Sequence, residues 1–220
     1  ILPSLLAADM GNLLEGAILA QMSGGNALHI DIMDGHFVPN LSMGPSLVST
    51  LHDKVVIPLC VHLMLVYPDK YIKKFVDAGA NYLFIHVESK IDVRATMEEI
   101  KANNITAGIT INPETNAENV FPFLDIADQV LCMSVHPGYG GQAFIHDVLP
   151  KIRQIRNEAK KMGKTNLTIM VDGGIDFETA ALCASHGANA FVAGTFLYSS
   201  KDMRATVEKL RKVAEDAFVF

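Results

Sequence analysis

His29 and Asp31 stand two residues apart in the stretch Leu28-His29-Ile30-Asp31-Ile32-Met33. In an extended chain alternate residues share a face, so an imidazole and a carboxylate lie side by side with Met33, opposite Leu28, Ile30 and Ile32. Two ionisable groups on an apolar strand cost of order several kcal/mol unless they are exposed, paired or bound to a metal. The pattern recurs: Cys60, His62 and Met64 alternate in one apolar run, Phe84, His86 and Glu88 in another, and Asp172 closes a third. A lone inward histidine is ordinarily a hydrogen-bonded core residue. Two histidines and two carboxylates on one rim suit a divalent ion such as zinc or ferrous iron instead, which makes His29, Asp31, His62 and Asp172 the candidate ligands.

The elements that must position these residues alternate along the chain. Strands are predicted over 1–6, 28–33, 57–64, 82–88, 105–112, 129–135, 167–172 and 190–193, from short apolar runs bounded by turn residues. Helical spacing falls over 12–22, 46–52, 69–78, 93–102, 117–124, 144–161, 177–186 and 203–217. Eight βα units in 220 residues, with no linker or composition break, predict one domain over 1–220: an α/β, (β/α)8 TIM barrel near its lower size limit. A doubly wound open sheet is the alternative. In a barrel the ends of the strands form one rim with the loops that follow them, and the candidate residues all lie near strand ends.

The second and seventh strands then place Asp31 and Asp172 on different sides of a substrate. One carboxylate could remove a proton next to a carbonyl while the other returns one from the far face, inverting that carbon. The metal would polarise the carbonyl and hold the developing enediolate. Glycine-bearing turns follow the sixth, seventh and eighth strands: Gly138, Gly140 and Gly141, then Gly173 and Gly174, then Gly194-Thr195. Bare N–H groups on such turns bind a phosphate without lysine, and phosphate sites in barrels sit after the seventh and eighth strands. Met33, Met64 and Met133 are expected as flexible apolar filler beneath the site.

Composition narrows the partners. A net charge of -6 argues against nucleic acid or an anionic membrane surface, and no apolar run reaches the length of a membrane span. Cys60, Cys132 and Cys183 are odd in number, widely spaced and set in apolar segments, as expected of reduced thiols in a cytoplasmic protein. The chain opens on Ile1 inside an apolar stretch, leaving room upstream for a removed targeting peptide.

Several segments together resemble one family. Pro3-Ser4-Leu5-Leu6, the stretch from His29 to Asn40, Cys60-Val61-His62-Leu63-Met64, Val135-His136-Pro137-Gly138-Tyr139-Gly140-Gly141-Gln142, Val171-Asp172-Gly173-Gly174 and Ala193-Gly194-Thr195 are similar to the signature segments of ribulose-phosphate 3-epimerases. The resemblance spans essentially the whole chain. It implies a barrel that interconverts D-ribulose 5-phosphate and D-xylulose 5-phosphate through a metal-stabilised enediolate, as a dimer or larger homo-oligomer. It further implies that His29, Asp31, His62 and Asp172 bind Zn2+ or Fe2+, with Mn2+ or Co2+ as other candidates, and that Asp31 and Asp172 are the catalytic acid/base pair. Ser4 and His62 would touch substrate together with Asp172. Gly138, Tyr139, Gly140, Gly141, Gly173, Gly174, Gly194 and Thr195 would surround it, the glycine loops holding its phosphate.

His136 and Tyr139 depart from the family, which more often has Asn, Glu or Asp and then Phe; His136 is expected to be a solvated loop histidine. The Asn112-Pro113-Glu114-Thr115 turn and Gly194-Thr195 also resemble D-allulose-6-phosphate 3-epimerase, whose substrate is one carbon longer. The Asp-x-Lys-x-x-Asp segment of related decarboxylating barrels is absent. No lysine lies at a strand end, which disfavours Schiff-base aldolase chemistry. A non-catalytic sugar-phosphate-binding barrel would share the glycine loops but have no use for both carboxylates.

Overall fold

The computed structural model describes residues 1–220. Its eight strands are β1 (Leu2–Pro3), β2 (Leu28–Met33), β3 (Leu59–Met64), β4 (Tyr82–His86), β5 (Thr106–Ile111), β6 (Gln129–Met133), β7 (Thr168–Asp172) and β8 (Ala190–Ala193). All pair in parallel, in the order β1-β8-β7-β6-β5-β4-β3-β2. A parallel bridge between Ser4 and His29 joins the two ends, so the sheet forms a nearly closed (β/α)8 barrel. The helices are α1 (Leu13–Met22), α2 (Pro45–His52), α3 (Ile72–Asp77), α4 (Val93–Ala102), α5 (Leu149–Lys161), α6 (Phe177–Ser185), α7 (Thr195–Tyr198) and α8 (Met203–Ala217). No helix is long and apolar enough to cross a membrane.

Alternation along the strands sorts residues into two cores. Leu28, Ile30, Val61, Leu83, Ile109 and Val171 face outward and join the large core between sheet and helices. Leu2, Cys60, Phe84, Leu131, Met170 and Val192 face inward and fill the barrel below its rim. One glycine makes that filling possible. Gly108 on β5 pairs in register with Phe84 on β4, and a Cβ at Gly108 would stand 2.2 Å from the Phe84 ring.

Four expectations from the sequence are corrected. The helix expected over 117–124 is two 3-10 turns, Ala117–Asn119 and Phe121–Phe123. Inside an α-helix Pro122 would forfeit its backbone bond and clash with the preceding turn. The helix expected from 144 starts at Leu149, after a 3-10 turn over His146–Val148, because Pro150 is tolerated only in a first helical turn. The helix expected over 69–78 likewise begins as a 3-10 turn, Pro68–Tyr71. The first strand is cut to Leu2–Pro3, and the chain turns at Leu5–Ala7 directly after Ser4.

Gly108→Ala should lower unfolding stability by about 1–3 kcal/mol, since the added methyl must displace a fully buried ring. Urea unfolding checks this. A loss under about 0.5 kcal/mol would show that Phe84 is not locked against β5.

Candidate active site

Parallel register assembles the cluster. Asp31 on β2 pairs with His62 on β3, and the bridge that closes the barrel sets Ser4 beside His29. Asp172 ends β7, three strand positions from β2 around the ring by way of β8 and β1. His62 Nδ1 lies 3.1 Å from Asp31 Oδ1, and His29 Nε2 lies 3.2 Å from the same oxygen and 3.5 Å from Asp172 Oδ2. One ligand atom from each of His29, Asp31, His62 and Asp172 falls within 4.8 Å of all the others. Ser4 Oγ donates to the second oxygen of Asp31 at 2.8 Å.

The electrostatics push the two carboxylates apart. Burial raises the pKa of Asp31, but His29 and His62 outweigh it and hold the group far below the usual carboxylate range. Asp172 moves up because burial dominates, the negative Asp31 adds to it, and His29 compensates only partly. His62 is depressed to about 4, chiefly by burial. Burial also opposes the protonation of His29, which the Asp31 carboxylate reverses. The two carboxylates are thus driven in opposite directions, Asp31 toward the ionised form and Asp172 toward the protonated one, with imidazole nitrogens beside both.

That donor set fits a divalent ion, and a proton count supports the fit. Asp31, His62, His86 and Glu88 form one chain: His62 Nε2 meets His86 Nε2 at 2.8 Å, and His86 Nδ1 meets Glu88 Oε2 at 3.2 Å. Three gaps need three protons, and two neutral imidazoles carry two. A cation at His62 Nδ1 removes the shortage. Burial of His86, the largest influence on it, lowers its pKa and so favours the neutral ring.

Above the cluster opens a cavity of about 460 Å³. Ser4, Asp31, Asp172, Gly138, Tyr139, Gly140, Gly141, Gly173, Gly174, Gly194 and Thr195 all line it, as expected. His62, also expected to touch substrate, is fully buried behind this wall, as is His29. No lysine or arginine lines the cavity. The N–H groups of Gly141, Gly173, Gly174 and Gly194 donate to no protein acceptor. Gly173 and Gly174 have φ of 119° and 62°, and a Cβ would meet Val135 at 2.4 Å and the Phe144 backbone at 2.7 Å, so this turn admits glycine alone.

Met33 and Met64 are not beneath the site, whereas Met133 pairs in register with Asp172 and packs with the inner core. Met33 and Met64 lie two residues beyond Asp31 and His62, toward the mouth, and all three methionines form cavity wall. Tyr139 Oη donates to Pro39 O at 2.6 Å and Asn40 Nδ2 to Gly138 O at 2.8 Å, clasping the loops after β2 and β6. His136 is exposed but paired, its Nδ1 2.6 Å from Glu114, and it stays off the cavity wall. Asp34 organises its loop by accepting from the N–H groups of His36, Phe37 and Val66. Lys151 on α5 reaches the end of β5 from outside, where its Nζ donates to the Asn112 and Pro113 carbonyls.

With this geometry in hand, the sequence model of the ribulose-phosphate 3 epimerase family matches residues 1–198. The chain belongs to this family. It is 41% identical over 211 residues to the ribulose-phosphate 3-epimerase of Bacillus subtilis, covering 96% of this chain and 97% of that one. The Mycobacterium bovis ribulose-phosphate 3-epimerase is 40% identical over 217 residues, with coverages of 97% and 92%. Among solved structures, KGPDC from Streptococcus mutans superposes with a TM-score of 0.71 at 16% identity, covering 99% of this chain and 98% of that one. Thiamine phosphate pyrophosphorylase from Pyrococcus furiosus follows with a TM-score of 0.68 at 16% identity, covering 99% and 96%. At such identities these structures speak for the shared barrel only.

Proposed function

We propose that the protein is a metal-dependent epimerase that inverts C3 of a ketose phosphate, interconverting D-ribulose 5-phosphate and D-xylulose 5-phosphate, with the barrel of residues 1–220 as its catalytic unit. The observation that carries the reading is the pairing of Asp31 with Asp172. Two carboxylates from strands on different sides of the barrel line one cavity, as a reaction that removes a proton from one face of a carbon and returns another to the opposite face requires. The names of the family and of its relatives support the same substrate class.

His29 Nε2, His62 Nδ1, Asp31 and Asp172 would hold one divalent ion, Zn2+ or Fe2+ by the chemistry of two imidazoles and two carboxylates. When bound, that ion supplies positive charge to oxygens on which negative charge develops as C3 loses its proton. The side chains do the rest. One Asp takes the C3 proton while the other delivers a proton to the opposite face. Ser4, donating to Asp31 Oδ2, holds the orientation of that carboxylate while Oδ1 faces the two imidazoles. The methionine wall excludes water and keeps the field of the charged groups strong. The free N–H groups of the glycine turns would receive the phosphate, which suits an acidic chain with no cation in the cavity.

Asp172→Asn should cut turnover roughly 10²–10⁴-fold with the circular dichroism spectrum and melting temperature kept. A variant with more than about a tenth of wild-type turnover would remove Asp172 from the acid/base role. Stripping divalent ions with a chelator should abolish epimerisation, and Zn2+ or Fe2+ should restore it. Full activity in protein shown metal-free by elemental analysis would contradict the ligand assignment.

A further inference from the structure

His62 is one of the four residues that converge on the candidate cation, and its ring is held from behind by a chain that leads away from the cavity. Both His62 and His86 are fully buried, and Glu88 at the far end is 22% exposed. The polarity of this chain is set at the Glu88 end. Glu88 Oε1 accepts from the backbone N–H of Asn112 at 2.8 Å, and a backbone N–H can only donate. The ionised carboxylate therefore presents a second acceptor, Oε2, to His86 Nδ1. His86 must carry its proton on Nδ1, which leaves Nε2 with a lone pair. That lone pair faces His62 Nε2 at 2.8 Å, so His62 must carry its proton there. The remaining lone pair of His62 is on Nδ1, directed at Asp31 Oδ1 from 3.1 Å. Two lone pairs at that distance repel until a cation lies between them.

We infer that His86 and Glu88 are positioning residues: Glu88, acting through the His86 ring, holds His62 in the tautomer whose Nδ1 is free to bind a divalent cation. The inference rests on the reading of the four-residue cluster as a cation site and extends it to two residues that touch neither the cluster's centre nor the cavity wall. A carboxylate behind a metal-binding histidine is a general device for fixing its tautomer. Here a second imidazole is interposed, and the instruction travels through two rings. Glu88→Gln reverses it. With its amide oxygen kept on the Asn112 N–H, the glutamine turns an NH2 toward His86 Nδ1, His86 then donates from Nε2, and His62 is left with its proton on the cation-facing nitrogen.

The test uses the full chain and Co2+ alone as probe, with affinity read by competition against a chromophoric chelator and by the visible Co2+ absorption. Long-range 15N–1H spectra of the metal-free protein report the His62 tautomer. Glu88→Gln should bind Co2+ about 10–100-fold more weakly than wild type and shift His62 from the Nε2–H to the Nδ1–H form. Glu88→Ala should lose less, because water at the rim can accept the His86 proton. A merely structural role predicts the opposite order, since the larger truncation would then do more harm. Co2+ affinity of Glu88→Gln within about twofold of a wild type that binds Co2+ overturns this inference alone, as does an unchanged His62 tautomer. A wild type that binds no Co2+ overturns the cation reading and this inference with it.

Discussion

Asp31 is a carboxylate fully enclosed at the end of a barrel strand, and two imidazole nitrogens lie 3.1 and 3.2 Å from one of its oxygens while a serine hydroxyl takes the other. A carboxylate in such a place costs several kcal/mol if it stands alone, of order the whole stability of many domains. The partners offset that cost, and each comes from a different strand: His29 from β2 itself, His62 from β3, Ser4 from the end of β1. Barrel closure is thus tied to the site. The bridge that joins the first and second strands pairs Ser4 with His29 and so brings the serine hydroxyl to Asp31. Asp172 meets the same enclosure with less compensation and lies close to a negative charge, which gives two chemically identical groups different proton affinities.

The remainder of the mouth serves those two groups. Methionines from β2, β3 and β6 make an apolar cavity wall, Met33 and Met64 two residues nearer the opening than Asp31 and His62, and Met133 level with Asp172. Backbone N–H groups on three successive glycine turns stand without protein acceptors along the same cavity, and in the proposed reading they take the phosphate. This division matters for a reaction at a weakly acidic carbon. A lysine in the cavity would hold a phosphate well, but it would also pair with Asp31 or Asp172 and flatten the difference between them.

Period-two alternation made the inward face of every strand readable, because a one-residue error would have put His29, Asp31 and His62 among the helices. Three things were not readable. Local spacing over 117–124 and 144–161 is helical, yet Pro122 and Pro150 decide where backbone hydrogen bonding can run, and the chain turns in 3-10 steps instead. The place of the methionines depends on how far each strand extends past its ionisable residue, which alternation does not report. His86 and Glu88 could be seen on the right face, but the direction of their hydrogen bonds is set by the N–H of Asn112, a contact between strand ends 24 residues apart.

The central claim is that two carboxylates exchange the C3 proton with solvent through their own protonation states. Turnover of D-ribulose 5-phosphate in D2O, followed by NMR of the product, tests it most directly. Deuterium at C3 of D-xylulose 5-phosphate is expected from the first turnover. Product that keeps the original C3 hydrogen would contradict the account, since inversion would then proceed without an acid and a base on separate faces.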